Sequence, residues 1–272
     1  MDRLVESELL DQLPPGDPVA LGSRGDLRRL NGLMGNAPAM DRALGVVVRE
    51  QPRRLVELGA GDGHFLYRVA CRLRHRWKGT SAVLLDRVAA VSPKTNRDFA
   101  LLGWRVETVT SDVFDWLKQQ RAEDGDALVA NLFLHHFSRA QLTELFGYAA
   151  RRAQSFVAIE PRRSAWALAF SHLVGLIGCN RITRHDAPVS VRAGFNGSEL
   201  SQLWPANGTW TFEERPIGLF SHLFVACPAR KQTGRDAFHS VARNVSERDG
   251  DAEDSVSTSR TARWDNAPYH PT

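Results

Sequence analysis

The chain has 272 residues, of which 43% are hydrophobic and 24% charged, and carries a formal net charge of +4. That length suits one α/β domain of about 200 residues with extensions, and the apolar fraction supports a full-sized core. Three widely spaced cysteines, Cys71, Cys179 and Cys227, form no Cys-x-x-Cys pair, which excludes a disulfide framework and fits a reducing cytoplasm, while the scattered arginines form no long basic block.

In chain order, the acidic start, Met1 to Glu8, lacks the apolar core of a secretion signal. Leu4, Leu9, Leu10 and Leu13 carry a helical spacing that Pro14-Pro15 stops. Asp26 is placed to cap a second helix through Leu30 and Leu33, and Ala39 to Arg49 reads as a third. Residues 1–50 are thus expected to be a helical extension, a lid, with no strand before residue 53.

Strands and helices then alternate. Arg54 to Leu58 is a short apolar strand, Phe65 to Trp77 a helix, Ser81 to Leu85 a strand ending at Asp86, Pro93 to Leu102 a helix and Arg105 to Thr110 a strand. Ala127 to Leu132 is a fourth strand, Gln141 to Ala153 a helix and Ser155 to Ile159 a fifth strand ending at Glu160-Pro161. This alternation predicts a Rossmann-like, doubly wound α/β sheet, mostly parallel. Ser164 to Gly178 reads as one helix. Its most apolar part, from Ala165, is about 14 residues, short of the about 20 that span a bilayer; peripheral membrane contact stays open. Asn180 to Gly197 reads as an arginine-rich loop, and Ser198 to Trp204 as a short helix capped by Ser198. Trp210 to Arg215 and Gly218 to Cys227, joined at Pro216, are expected to form an antiparallel edge hairpin. Residues 51–228 make the main domain, with a substrate-cap insertion at about 162–205. Residues 229–272, rich in Ser, Arg, Asp and Glu, are expected to be a disordered tail.

The segment Val56-Glu57-Leu58-Gly59-Ala60-Gly61-Asp62-Gly63 falls at the first strand-to-helix turn, where an open sheet binds ligands at its carboxyl edge. Gly59 and Gly61 let the backbone turn sharply and approach a ligand. The helix beyond Gly63 offers free N–H groups to the same crevice. A dinucleotide fingerprint needs its third glycine one residue later, where His64 stands. Glu57, two residues before the first glycine, is awkward for a pyrophosphate and suited to an ammonium.

On these residues the sequence resembles the class I S-adenosylmethionine-dependent methyltransferases, of the small-molecule and quinone-biosynthesis kind. Their first motif, an acid followed by x-G-x-G-x-G, is matched by Glu57, Gly59, Gly61 and Gly63. The resemblance covers roughly residues 53–228. It implies S-adenosylmethionine as cofactor, held at Glu57, Gly59, Ala60, Gly61 and Gly63, with Asp86 on the ribose hydroxyls, Asp112 and Val113 at the adenine, and a fourth segment starting at Asn131. The implied reaction is methyl transfer to an O or C atom of a small lipophilic acceptor, a phenolic, polyketide or quinone precursor.

Such an acceptor must lose a proton, and a phenol's pKa near 10 calls for a base such as histidine. His135 and His136, just past strand four, are candidates; so is His185 in Arg184-His185-Asp186, with Asp186 to orient it. Arg192 is a candidate for an anionic substrate group, and Glu160 faces the same crevice as a substrate-binding candidate. No metal is expected. Asn31 and Asn36 flank Leu33-Met34-Gly35 near the entrance and receive no role. The alternatives are a nucleic-acid methyltransferase and a non-catalytic cofactor-binding scaffold. The first draws on the basic run Arg72 to Lys78 but lacks an Asn-Pro-Pro-Tyr-like motif for a flipped base, so a nucleic-acid partner is disfavoured.

Overall fold

The structure, a computed structural model, describes residues 1–48, 50–119, 126–206 and 208–229. The tail expected at 229–272 lies, beyond Ala229, outside the described residues. The sheet has seven strands in the order β3-β2-β1-β4-β5-β7-β6. These are β1 (Arg54–Leu58), β2 (Ser81–Asp86), β3 (Arg105–Thr110), β4 (Asp126–Asn131), β5 (Ala153–Pro161), β6 (Trp210–Ile217) and β7 (Ser221–Pro228). The first five are parallel; β7 runs antiparallel to both β5 and β6. The chain leaves β1 towards β2 on one side and reaches β4 on the other. The loops after β1 and β4 therefore diverge and open a crevice at their carboxyl ends.

Two apolar layers cover the sheet. One contains Leu55, Met40, Leu44, Leu66 and Phe99, from β1, α2 (Asn36–Val47), α3 (His64–Leu73) and α4 (Pro93–Leu101). The other contains Val56, Trp116, Phe146, Phe156 and Phe224, contributed in part by α5 (Val113–Gln119) and α6 (Arg139–Ala149). Alternation along β1 therefore puts Glu57 on the α2–α3 face with Leu55. Helix α6 starts with a capping box between Ser138 and Gln141.

The structure departs from the sequence reading mainly at the two ends of the site. Only Leu10–Gln12 turns helically before residue 18, as a single 3₁₀ turn; Met1 to Leu9 is irregular. Four polar contacts take the place of helix packing. Arg3 donates to the carbonyls of Ala193 and Phe137, at 2.7 and 2.8 Å, and the N–H groups of Leu9 and Leu10 donate to Asp186, at 2.9 and 3.0 Å. Helix α1 (Pro18–Met34) is capped by Asp17, with proline at its first position, so Asp26 is not a cap. Asp26 lies inside α1, buried, accepting from the Asn180 N–H at 2.7 Å and from Arg29.

The segment expected as an arginine-rich loop is helix α8 (Arg181–Ala193), capped by Asn180 and containing Pro188. Its buried Ile182, Asp186, Val189 and Ala193 follow a helical spacing that the proline and charges mask. The apolar stretch before it breaks into α7 (Ala165–Ser171) and a 3₁₀ turn at Val174–Ile177. The helix expected at 198–204 is one 3₁₀ turn, Ser201–Leu203. Helix α5 occupies a stretch where no element was expected, and the hairpin turns at 218–220, with Pro216 inside β6.

Asp26 joins α1 to the cap of α8. Replacing it with alanine strands the Asn180 N–H, and the unfolding free energy in urea is expected to fall by about 1–3 kcal/mol.

Candidate functional site

A cavity of about 880 Å³ opens at the carboxyl ends of the strands. One end is the loop after β1. Gly59 and Gly61 line it, both in the left-handed region, with φ of 71° and 54°. A Cβ on Gly59 would lie 2.1 Å from the Phe133 ring, whereas one on Gly61 would meet no atom within 4 Å. The turn is tied to β2: Gly59 and Ala60 donate to the Leu85 carbonyl at 2.9 and 3.0 Å, and Gly61 donates to Asp86 Oδ2 at 2.8 Å. Gly63, at φ 74°, begins α3 and packs against Leu84 too closely for any side chain.

Asp86, Asp112 and Val113 line the same end of the cavity. Asp86 Oδ1 accepts from Val88 N–H at 2.8 Å, so each of its oxygens has one backbone donor and one lone pair to spare. Asp112 caps the start of α5 through Phe114 N–H at 2.8 Å. Glu57 does not line the cavity. It is buried beneath the turn with Oε2 unpartnered. Burial first, then the charges of Asp62 and Asp86, push its carboxyl well above the usual range, against a backbone hydrogen bond from Leu66.

The other end forms where the chain leaves β4. Leu132 takes a left-handed φ of 52°, unusual for leucine, and a 3₁₀ turn at Leu134–His136 follows. Glu160, fully buried at the end of β5, fixes this turn. It accepts from the N–H groups of Phe133, Leu134 and His135, at 3.1, 2.8 and 3.3 Å, and from His135 Nδ1 at 2.8 Å. Glu160 does not line the cavity; its bonds position the turn.

His135 is buried between two carboxylates, with Nε2 3.3 Å from Glu8 Oε1. Burial alone disfavours its cation, but hydrogen bonds to Glu160 and Glu8 outweigh it and raise the imidazole to about 9. An imidazolium at neutral pH is no base. Its neighbour behaves oppositely. Burial and the His135 charge lower the pKa of His136, which lines the cavity with its Nδ1 3.5 Å from Asp11. Glu8, held well down at about 2 despite its burial, accepts from His135 and from the Ser190 hydroxyl.

The remaining candidates stand apart from the cavity. His185 is half-exposed, 2.9 Å from Asp186, and neither it nor Arg192 is among the cavity-lining residues. Position in α8 explains this: Asp186 and Ser190 take its inner face. Asn131 is also off the cavity; its amide bonds to Asn31 and Asn36 at 3.0 Å each, and Ser221 donates to Asn36 at 2.8 Å. Ala60 contributes only backbone. None of the basic run from Arg72 to Lys78 lines the cavity, and Arg72 and Arg76 pair with Asp41 on α2. The sequence reading gave no role to Glu8, Asp11 or Ser190. Their only sequence signal is acidity or a hydroxyl in segments far from the glycine motif. Among the described residues, Glu8, His135 and His136 bring three metal-capable donor atoms within 4.8 Å of one another, where no metal was expected.

The sheet order, the glycine turn after β1 and the acid ending β2 define the fold of the class I S-adenosylmethionine-dependent methyltransferases. The chain is similar in structure to the plantazolicin methyltransferase BamL, solved with a desmethyl-plantazolicin analogue and S-adenosylhomocysteine. The TM-score is 0.55 at 13% identity, covering 80% of this chain and 91% of that one. It is also similar to the pyocyanin biosynthetic protein PhzM, with a TM-score of 0.50 at 19% identity, covering 82% of this chain and 62% of that one. The methyltransferase domain of bacterial CtHen1-C matches with a TM-score of 0.50 at 13% identity, covering 72% and 98%. No protein-family model and no curated protein matches the sequence.

His135 has its folded pKa above the ordinary 6.5, so the stability it contributes is complete below about pH 6.5 and is lost as pH rises through about 9. Glu8, shifted down from 4.5, contributes stability that is present above about pH 4.5 and lost as pH falls through about 2. For this pair the optimum lies between about pH 4.5 and 6.5. Unfolding free energies from pH 6 to 9.5 are expected to fall for the parent protein and to stay flatter for Glu160→Gln. An equal alkaline fall in both would refute the charged His135.

Proposed function

We propose that the protein binds S-adenosylmethionine at the Gly59–Asp86 corner and transfers its methyl group to an O or C atom of a small lipophilic acceptor in the same cavity. The observation that carries this reading is the joint lining of one cavity by Gly59, Gly61, Asp86 and Asp112, with an unpartnered Glu57 carboxyl beneath the turn. The corner fits that cofactor. Gly61 leaves open space where a Cβ would stand, Asp86 has two spare lone pairs for a ribose diol, and Val113 and Phe133 offer apolar contact to adenine. Glu57, beneath the turn, would act on the ammonium of the methionine end through water.

When bound, the cofactor supplies an activated methyl on a positive sulfur, so the protein's work is alignment and exclusion of water, worth up to about 7–11 kcal/mol in favourable cases. The irregular N-terminal segment, α1, α7 and α8 would serve as the lid and substrate cap. Leu27, Leu30, Leu33, Leu173, Leu176 and Ile177 line the cavity, which supports an apolar acceptor such as a phenolic, polyketide or quinone precursor. His136, held neutral, is the candidate to accept the acceptor's proton, and His135, fixed as a cation by Glu160 and Glu8, is the candidate to steady the resulting oxyanion. Three unpaired cysteines support a cytoplasmic setting, and no helix among the described residues is long and apolar enough to cross a membrane.

Calorimetry with S-adenosylmethionine tests the cofactor half. Gly61→Val is expected to abolish binding, because valine is strained at φ 54° and would fill the open space. Asp86→Ala is expected to weaken it tenfold or more, about 1.4 kcal/mol. Wild-type affinity in Gly61→Val would refute the assignment. For the acceptor, labelled cofactor and a metabolite extract should give a labelled product by mass spectrometry.

A further inference from the structure

We infer that Glu8, His135 and His136 form a binding site for one divalent transition-metal ion of the zinc class in the acceptor wall of the cavity. The donor set is a carboxylate and two imidazoles, the kind that zinc takes in catalytic sites with a further position left open. All three residues line the cavity, so an ion held there faces the space assigned to the acceptor.

The hydrogen-bonded Glu8–His135 pair also has the spacing that an ion needs. Glu8 Oε1 and His135 Nε2 lie 3.3 Å apart. A charge-assisted hydrogen bond between such groups is usually about 2.7–2.9 Å. Two donors on one tetrahedral ion, each bonded at about 2.0–2.2 Å, stand about 3.3–3.5 Å apart. The third donor atom is within 4.8 Å of the others, and closing the set requires the partly exposed His136 ring to move towards the pair.

The surroundings match what orients metal-bound histidines. Glu160, fully buried, accepts from His135 Nδ1 at 2.8 Å and leaves Nε2 directed at Glu8; without the ion His135 is the cation described above, and binding of the ion displaces the Nε2 proton to free the ligand lone pair. Asp11 stands 3.5 Å from His136 Nδ1, which leaves the Nε2 of that ring for the ion. A carboxylate on the far nitrogen fixes the tautomer and raises the ligand's basicity. Ser190 donates to Glu8 Oε1 and fixes the third ligand. Glu8 comes from a segment with no helix of its own, strapped down by Arg3 and Asp186, so the site is assembled from two distant stretches of chain.

The chemistry deepens the proposed function and, in this respect alone, rests on it. An acceptor hydroxyl taken as a further ligand of the ion is acidified. Its O–H bond breaks, the electron pair stays on the ion-bound oxygen, and the proton passes to the Asp11 carboxylate at the cavity wall. The ion then takes over both roles given to the histidines above: it generates the nucleophile in place of His136 and steadies the oxyanion in place of His135.

The test is titration of chelator-treated full-length protein with Co²⁺, read by its visible absorption, and with Zn²⁺ by calorimetry. One ion per chain is expected, with the intense bands of a four- or five-coordinate cobalt centre. Glu8→Gln and His136→Asn are each expected to weaken binding at least tenfold, with thermal unfolding confirming that both variants fold. Absence of stoichiometric binding, or binding unchanged in both folded variants, overturns the site. Titration of the same samples with S-adenosylmethionine reads the glycine corner separately. Loss of cofactor binding in protein that still takes cobalt strikes the proposed function and leaves the ion site standing.

Discussion

The arrangement depends on one buried carboxylate. Glu160, at the end of β5, gathers three successive backbone N–H groups and one imidazole from the chain leaving β4. A buried carboxylate without such partners would be costly, and three amides without an acceptor would be costly as well. Each demand meets the other. The result is a turn with a left-handed Leu132, held at the place where the sheet's two halves part. The Phe133 ring then lies against Gly59, so the geometry of the turn after β4 reaches the turn after β1. Adjacent strands thus fix both ends of the cavity, one through a carboxylate and the other through glycines.

The second consequence is the split between neighbouring histidines. Their rings lie 4.2 Å apart, centre to centre. Glu160 and Glu8 hold His135 as a cation, and that cation with burial discourages a second charge on His136. Residues adjacent in sequence are thereby given opposite electrostatic characters. Such a split is the usual way in which a site keeps one group as acid or electrophile and another as base at a single pH.

The central sheet was legible because β1, β2, β4 and β5 are short apolar runs closed by glycine, aspartate, asparagine or proline, with no competing period. The glycine corner was legible for the same reason that it is built this way: positive φ and close approach leave few residue choices. The site's far end was not. Glu8 and Asp11 sit in a segment whose leucines mimic a helix, but Arg3, Leu9 and Leu10 find partners across the chain instead, and tertiary hydrogen bonds override the local period. Pro188 and a run of charges hid α8, although Ile182, Asp186, Val189 and Ala193 mark its buried face. Glu160 was read as facing substrate because the end of a strand points to the crevice; the three amides that claim it belong to the next loop and leave no trace in local pattern. Asn131 similarly looked free until Asn31 and Asn36 occupied its amide.

Charge placement explains why the glycine corner should favour a cation. Asp62, Asp86 and Asp112 crowd the turn, and their neighbour Glu57 is buried with no positive partner; its carboxyl is driven towards the neutral form. Folding alone gains nothing from this crowding, since burial opposes the charge and Asp62 and Asp86 repel it. A ligand bearing both a sulfonium and an ammonium would relieve the repulsion at once, and the stabilisation would appear as affinity. A pyrophosphate would add two negative charges to the same corner and be repelled by each of these acids. On the proposed function, the crowded acids are therefore the positions that would discriminate between a methyl-donor cofactor and a dinucleotide on otherwise similar sheets.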